Sequence, residues 1–320
     1  MNAVSQRLNP FATEALSPPD HWLSHEAGRS GGLLQDLALE RLDRNLFRGL
    51  SRDMGLPQVF GGQVLAQALA AAYATIEDRT VHSLHAYFLR RGNMNAPIVY
   101  QVERTRDGSS FSSRRVIATQ HGEQIFNMST SFQSPEHGFE HQLQMPDVAQ
   151  PEHLPDERTL TRDADDPLSK GMAWMLKSEK RFEFRFVHSP FFGTVEERAP
   201  FQQFWFRTKG PVSGDSGAHH CLLSYVSDYF LLFTATAPHC AALGKQLPII
   251  ATIDHALWFH RPVRVDEWLL YSMESPNASG ARGFVRANIF TRKGELVAST
   301  AQEGLMRRAT RSPQRLAAAL

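Results

Sequence analysis

The sequence predicts an α+β protein in which two antiparallel sheets, each wrapped around a long apolar helix, are fused in one chain. Two segments of good helix formers are apolar on nearly every side, and each is followed by several short strands separated by turn residues. The halves also resemble each other in three pairs of segments: HAYFLRR at 85–91 with HALWFHR at 255–261, VYQVE at 99–103 with LYSME at 270–274, and GEQIFNMSTSF at 122–132 with GELVASTAQEG at 294–304. Pairing two such units side by side covers the sheet edges that one unit alone leaves exposed.

Bulk composition excludes several classes of protein. The formal net charge of +1 provides no global field to attract nucleic acid or an anionic membrane. The two cysteines, Cys221 and Cys240, are too few for a secreted disulfide framework and too far apart in sequence for a zinc site. No stretch approaches eighteen consecutive apolar residues, and the start of the chain lacks a basic and then apolar leader. A cytoplasmic protein without a membrane span is therefore expected.

The first half begins after residues 1–32, which we expect to be an N-terminal extension, disordered in part. Residues 33–134 form the first predicted repeat. Its apolar helix lies within VFGGQVLAQALAAAYATI at 59–76, and the turns between its strands are predicted at Asp107-Gly108 and His121-Gly122.

The second half is reached through a predicted linker at 135–180, rich in Pro, Asp, Glu and His, with a short helix near GMAWMLKSE. Residues 181–308 form the second predicted repeat, and 309–320 form a C-terminal tail. The apolar helix of this repeat is predicted in the second half of LLSYVSDYFLLFTATAPH, so that Asp228, or else Ser227, caps its start.

Two familiar types of site are disfavoured by the residues around their motifs. Ser216 within GDSG suggests a serine protease nucleophile, but that family needs an all-β fold, and Gly, Asp and Ser are common in surface loops. The histidines at 219, 220, 255 and 260 suggest a metal site. However, neighbouring residues on extended backbone point apart, as do residues five apart. No metal and no other cofactor are expected.

Three polar residues on separate elements are better candidates. Asp228 is a carboxylate predicted beside the free N–H groups of a helix start, Thr252 opens a strand, and Gln302 interrupts the last strand. Each residue alone fits an ordinary structural role, as a helix cap, a β-branched strand residue or a solvated amide. Together an acid, a hydroxyl and an amide can hold one water molecule from three directions.

From about residue 33 to 308 the sequence resembles the acyl-CoA thioesterase II family, the double-hotdog thioesterases of bacteria and peroxisomes. The similar segments, in chain order, are VFGGQVLAQAL, YVSDYFLL, IATIDHALWFHRP, EWLLYSMES and ARGFVRANIFTRKGELVASTAQEGLMR. The resemblance implies a double hotdog fold that hydrolyses acyl-CoA to fatty acid and CoA. It also implies that Asp228, Thr252 and Gln302 orient the nucleophilic water.

The internal repeat predicts one active site per chain, built mainly on the second half. No acid precedes the first helix, where Gly61 and Gly62 would allow close backbone approach and line the pocket. The repeat places His82 near the position of Thr252, and Thr130 near that of Gln302. Strand alternation predicts Asp254 on the same face as Thr252, which makes it a rival for a direct role. Otherwise Asp254 and His255 are expected to form a supporting hydrogen-bond network.

Two other functions remain open at this point. Asp254 and His255 could serve a hotdog enoyl-CoA hydratase or dehydratase, and a catalytically inactive scaffold could be an acyl-CoA-binding module. The expected partners are an acyl-CoA substrate and further copies of the chain, in a homodimer or homotetramer. Nucleic acid is not an expected partner.

Overall fold

The computed structural model describes residues 33–308, with gaps at 53, 55–57, 162–166, 190–197, 214 and 244–247. The predicted extension at 1–32 and the predicted tail at 309–320 lie outside the described residues. The first half contains α1 (Leu33–Asp36), β1 (Leu39–Asp43), β2 (Leu46–Gly49), α2 (Gly61–Tyr73), β3 (Thr80–Phe88), β4 (Ile98–Asp107), β5 (Phe111–Gln120) and β6 (Glu123–Gln133).

The second half repeats this order after a connection. The connection contains a 3-10 turn (Pro151–His153), α3 (Glu157–Leu160) and α4 (Pro167–Ser178). Then follow β7 (Phe182–Phe186), β8 (Phe201–Thr208), α5 (Ser216–Ser227), α6 (Leu231–Thr236), a 3-10 turn (Ala237–His239), α7 (Cys240–Leu243), β9 (Ile249–Thr252), β10 (Asp254–Phe259), β11 (Leu269–Ser279), β12 (Arg282–Thr291) and β13 (Leu296–Arg307).

The strands form one continuous antiparallel sheet in the order β1-β2-β4-β5-β6-β3-β10-β13-β12-β11-β8-β7, with β9 paired to β13. The halves meet at its centre, where His255 of β10 pairs with Ala86 of β3, and Ala256 pairs with His85. Each half therefore closes the edge that the other would expose, as the duplication predicts. The predicted double hotdog, with helices inside antiparallel sheets, is confirmed.

The two central helices, α2 and α5, pack against each other in opposite directions. Gly62 near the start of α2 faces Tyr225 near the end of α5, and Gly217 near the start of α5 faces Tyr73 at the end of α2. A Cβ atom on Gly62 would lie 2.3 Å from the Tyr225 carbonyl oxygen. Only glycine permits this approach, and it brings the start of α2 beside the end of α5.

The predicted start of the second apolar helix was wrong. Helix α5 begins at Ser216, after Asp215, whose side chain accepts hydrogen bonds from the Gly217 and Ala218 N–H groups. Asp228 follows the last residue of this helix, and the backbone then turns through Phe230 at φ 65°. The apolar run extends on both sides of Asp228, so hydrophobicity alone did not locate the helix. The Asp-Ser-Gly capping signal did mark its start.

The connection between the halves lies against the outer face of the second half of the sheet. The Gln142 side chain donates to the Gly294 carbonyl and accepts from the Leu296 N–H, and the Trp205 indole donates to the Ala149 carbonyl. None of the described helices is long and apolar enough to cross a membrane.

Candidate active site

Thr252 and His255 both contact the same side chain, Gln302 of β13. The Gln302 amide nitrogen lies 3.0 Å from the Thr252 hydroxyl, and its amide oxygen lies 2.7 Å from Nδ1 of His255. A one-residue bulge makes this possible. Thr252 pairs with Gly304 and Ala256 with Ala301, so β9 and β10 contain one more residue than the facing stretch of β13.

The same bulge moves Asp254 away from the face of Thr252, so the alternation-based prediction for Asp254 was wrong. Asp254 alternates with His255 along β10, and its carboxylate accepts a hydrogen bond from the Glu303 N–H at 2.9 Å. Its side chain therefore satisfies a backbone donor at the bulge.

Asp228 completes the cluster from the end of α5. The Thr252 hydroxyl lies 3.5 Å from Oδ1 of Asp228. Burial raises the pKa of Asp228 to about 7, although hydrogen bonds from the Gly62 N–H, Gln302 and Thr252 oppose that rise. A buried carboxyl group with a pKa near neutrality can exchange a proton at physiological pH.

The helix start beside Asp228 belongs to the first half of the chain. A Cβ atom on Gly61 would lie 2.7 Å from Oδ2 of Asp228, and the preceding Phe60 provides no side-chain cap for α2. The predicted arrangement of a carboxylate beside a helix start is present. The helix was predicted to follow Asp228 in the chain, however, and it is α2 of the first half instead. The cluster needs both halves of the chain.

His255 links Gln302 to two hydroxyl groups, Ser227 and Thr300, which were not predicted to belong to the site. Its Nε2 atom lies 3.0 Å from the Ser227 hydroxyl and 3.2 Å from the Thr300 hydroxyl. Burial lowers the pKa of His255 to about 4, so the ring is neutral at pH 7. Ser227 was predicted as an alternative helix cap, but it ends α5 and its hydroxyl donates to the Ser224 carbonyl.

The first half has other side chains at the matching positions. Val81 pairs with Phe132 as Thr252 pairs with Gly304, and Thr130 lies opposite Leu84. If these two pairs are taken as equivalent, Thr130 of β6 occupies the position of Gln302 in β13, as predicted. Leu84, opposite Thr130, then occupies the position of His255. Val81, not His82, matches Thr252, because β3 also shifts register at His82. The first-half positions therefore contain no acid, imidazole or amide.

The other three histidines of the suggested metal site each have a local partner on one ring nitrogen. His219 Nδ1 accepts from the Val265 N–H, His220 Nδ1 lies 2.9 Å from the Tyr73 hydroxyl, and His260 lies near the Ser299 hydroxyl. Within the described ranges, no three His, Cys, Asp or Glu side chains are grouped to hold a metal ion.

A cleft adjoins the cluster at Gly61 and Thr252. Its lining includes both apolar and basic side chains, most of them from the first half: Gln58, Val59, Val64, Phe88, Leu89, Arg90, Arg91, Gly92, Ile125 and Phe126, with Ala251 and Leu305 from the second half. Gly61, predicted to line the pocket, does line this cleft, whereas Gly62 does not. The sequence offered no signal for the other lining residues, because they lie far apart in the chain.

Comparison with known proteins agrees with this architecture in both halves. Residues 175–305 match the family model described as acyl-CoA thioesterase, and 50–133 match the one described as acyl-CoA thioesterase N-terminal domain. The chain is 44% identical over 279 residues to acyl-CoA thioesterase 2 of Haemophilus influenzae, covering 86% of this chain and 96% of the relative. The chain belongs to the acyl-CoA thioesterase II family.

Two further similarities support the assignment to the thioesterase II family. Human acyl-coenzyme A thioesterase 8 is 41% identical over 280 residues, covering 85% of this chain and 87% of the relative. The crystal structure of the acyl-CoA thioesterase II TesB2 from Mycobacterium marinum has a TM-score of 0.71 at 40% identity, covering 87% of this chain and 98% of that one. This thioesterase II chain is an enzyme that hydrolyses acyl-CoA thioesters.

Proposed function

We propose that Asp228, Thr252 and Gln302 hold the water molecule that attacks the acyl-CoA thioester, with Asp228 as general base. The proposal rests on a buried carboxyl group whose pKa is raised to about 7 and which lies beside a hydroxyl, an amide and the start of α2. A carboxylate whose pKa lies near the working pH is ionised in a large fraction of molecules and is also basic enough to accept a proton readily.

The reaction follows from these positions. The water oxygen attacks the thioester carbonyl carbon while its proton passes to the Asp228 carboxylate. The resulting oxyanion lies at the start of α2, where the helix dipole favours negative charge. The Gly62 N–H already donates to Asp228, so we assign the Gly61 N–H to the oxyanion. When the tetrahedral intermediate collapses, the carbon–sulfur bond breaks and the proton on Asp228 is returned to the CoA thiolate. The products are the free acid and CoA.

His255 is a positioning residue in this proposal. If its Nδ1–H donates to the Gln302 oxygen, both amide hydrogens of Gln302 face Thr252 and Asp228. The opposite orientation would turn the amide oxygen toward an ionised carboxylate, which is repulsive. A neutral His255 protonated on Nδ1 therefore matches an ionised Asp228. Its Nε2 atom then accepts from the Ser227 or the Thr300 hydroxyl, and that hydroxyl turns away from its backbone carbonyl, Ser224 or Ala256, to donate.

The hydratase alternative is less compatible with the same geometry. That chemistry would need Asp254 and His255 to act on one substrate carbon. The Asp254 carboxylate instead accepts from the Glu303 N–H, and the His255 ring is enclosed by Gln302, Ser227 and Thr300. The cytoplasmic location and the homodimer or homotetramer stay predictions.

Thiol release from acyl-CoAs of graded chain length tests the proposal, with wild type beside Asp228→Asn. We expect the substitution to lower kcat by about a hundredfold or more, as for other general bases. The same series would establish the chain-length preference. A folded Asp228→Asn protein with full activity would exclude Asp228 as the base.

A further inference from the structure

The cleft beside Gly61 and Thr252 has one end at the reaction centre and another at the protein surface. Among the side chains that line it, Val64 and Phe126 are buried, whereas Arg90 and Arg91 are exposed. A ligand lying along it would meet apolar surface first and positive charge further out.

Two polar groups in this cleft have no partner among the residues that the structure describes. The Gln58 amide oxygen is buried, and no described residue provides it with a hydrogen-bond donor. Leaving such an atom buried and unpaired is costly, so a rotation of the Gln58 amide that brings this oxygen to a hydrogen-bond donor of a ligand in the cleft would be favoured. None of the proposed catalytic groups contacts Gln58.

Arg91 is the second such group. Its neighbour Arg90 already pairs with Glu123 at 3.1 Å and donates to the Gln124 carbonyl at 2.6 Å. Arg91 is exposed, and no carboxylate in the described part of the chain lies within ion-pair distance of it. An unneutralised guanidinium at the edge of a cleft is suited to a phosphate, which it can bind through charge-assisted hydrogen bonds.

The CoA leaving group has chemical groups that fit the Gln58 amide and Arg91, and it has them in the same order along its length. Its sulfur is followed by a pantetheine arm with two amide groups and then by phosphates. We propose that this cleft binds the pantetheine arm, with Gln58 accepting from an amide N–H and Arg91 binding a phosphate at the rim. This inference rests on the proposed function, because it needs the thioester carbon beside Asp228 and Gly61.

The acyl chain is a poorer occupant of the same cleft. An alkyl chain cannot donate to the Gln58 oxygen, and it would bury apolar carbon beside the charge of Arg91 without any compensating bond. The apolar wall does not separate the two occupants, because the pantetheine arm also contains methyl and methylene groups. Gln58 and Arg91 therefore favour the pantetheine arm over the acyl chain as the occupant of the cleft.

Three substrates with one common acyl group test the inference: its thioesters with CoA, with pantetheine, and with 2-mercaptoethanol. Arg91→Ala should raise the KM for acyl-CoA by about tenfold or more, since a hydrogen bond to a charged group is lost. Its effect on the acyl-pantetheine KM should be less than twofold, because that substrate has no phosphate. Gln58→Leu should raise the KM for acyl-CoA and acyl-pantetheine but not for the mercaptoethanol thioester.

Arg115→Ala is the matched control. Arg115 is an exposed arginine of β5 paired with Glu103, and it does not line the cleft. Its KM should stay at the wild-type value for all three substrates. A thermal melt of each variant separates loss of binding from loss of fold.

Two outcomes would overturn the inference. One is an Arg91→Ala effect that is absent, or equal for acyl-CoA and acyl-pantetheine. The other is an effect of either cleft substitution that grows with acyl chain length, which would assign the cleft to the acyl chain. Failure of the proposed catalytic site would look different, since Asp228→Asn would then still hydrolyse all three thioesters.

Discussion

The two halves of the sheet place different side chains at matching positions. The second half has Thr252, His255 and Gln302, which hydrogen-bond in a chain that leads to Asp228. The first half has Val81, Leu84 and Thr130, and the Thr130 hydroxyl donates to the Ser83 carbonyl beside it. The same backbone thus supports a polar site in one half and apolar packing in the other.

The two helix starts differ in a complementary way. Asp215 caps α5, so its first N–H groups are already bonded. The residue before α2, Phe60, provides no such cap, and the acceptor of the Gly62 N–H is Asp228 of the other half. The two halves therefore contribute different parts of one candidate site. The first half contributes the helix start and most of the cleft, while the second contributes the titratable groups.

Among the substitutions that copy a first-half residue into the second half, the replacement of Gln302 should have the largest effect. Gln302→Thr removes the amide that bonds Thr252 and approaches Asp228, and we expect kcat to fall about a hundredfold. The matched control is Thr130→Val in the first half, for which kcat should change less than twofold. Comparable losses in both variants would contradict a single site in the second half.

Gly61→Ala tests whether the first half takes part in the site. The new Cβ would lie 2.7 Å from Oδ2 of Asp228, so the carboxylate or the helix start must shift. A shift of this kind should lower kcat by about ten- to a hundredfold. Gly171→Ala in α4 is the control, because its Cβ would meet no atom within 4 Å. Unchanged turnover of Gly61→Ala would place the reaction away from α2.

His255→Leu copies Leu84 into the second half, and its expected effect is smaller, about tenfold in kcat. The Ser227 and Thr300 hydroxyls keep their backbone partners, the Ser224 and Ala256 carbonyls, so the fold should persist. Without His255, the Gln302 amide is free to rotate away from Asp228. The pKa of Asp228 should then rise, and the midpoint of the kcat/KM pH profile should move upward. A lower kcat with an unmoved midpoint would indicate a purely structural role.

The pH profile of the wild type should follow the ionisation of Asp228. Because the carboxylate form is the base, kcat/KM should fall about tenfold per pH unit below a midpoint near 7, the pKa of Asp228. Rates should be level above it. Steady-state thiol release between pH 5 and 9 measures this profile, and a level rate down to pH 5 would contradict the assignment.

Asp228→Asn should stabilise the fold at alkaline pH although it lowers kcat by about a hundredfold or more. The pKa of Asp228 is raised on folding, so its ionisation costs stability as pH rises from about 4 through 7. The amide avoids this cost, which is about 2–4 kcal/mol in free energy of unfolding at pH 8. The difference should vanish below pH 4, where both side chains are neutral. Thermal melts at pH 4 and 8 would show it, and a variant less stable than wild type at pH 8 would refute it.

Much of the site was predictable because its signals are local. Asp228, Thr252 and Gln302 stood out as polar residues inside apolar segments, and the three similar segment pairs indicated a duplicated unit. His255 was expected in a supporting network, and its bonds to Gln302 and Ser227 agree with that expectation. By contrast, neither the bulge beside Asp254 nor the start of α5 followed from hydrophobic periodicity.

Local sequence patterns are sufficient to identify this chain as a duplicated helix-and-sheet protein whose candidate catalytic residues lie in the second copy. Propensity, strand patterning and internal similarity act over short stretches, so they can be read without coordinates. Tertiary packing sets which helix start lies beside Asp228 and on which face of the sheet the Asp254 side chain lies. Those outcomes depend on the packing of α2 against α5 and on the register of β9 and β10 with β13, contacts between residues far apart in the chain. No local pattern encodes them.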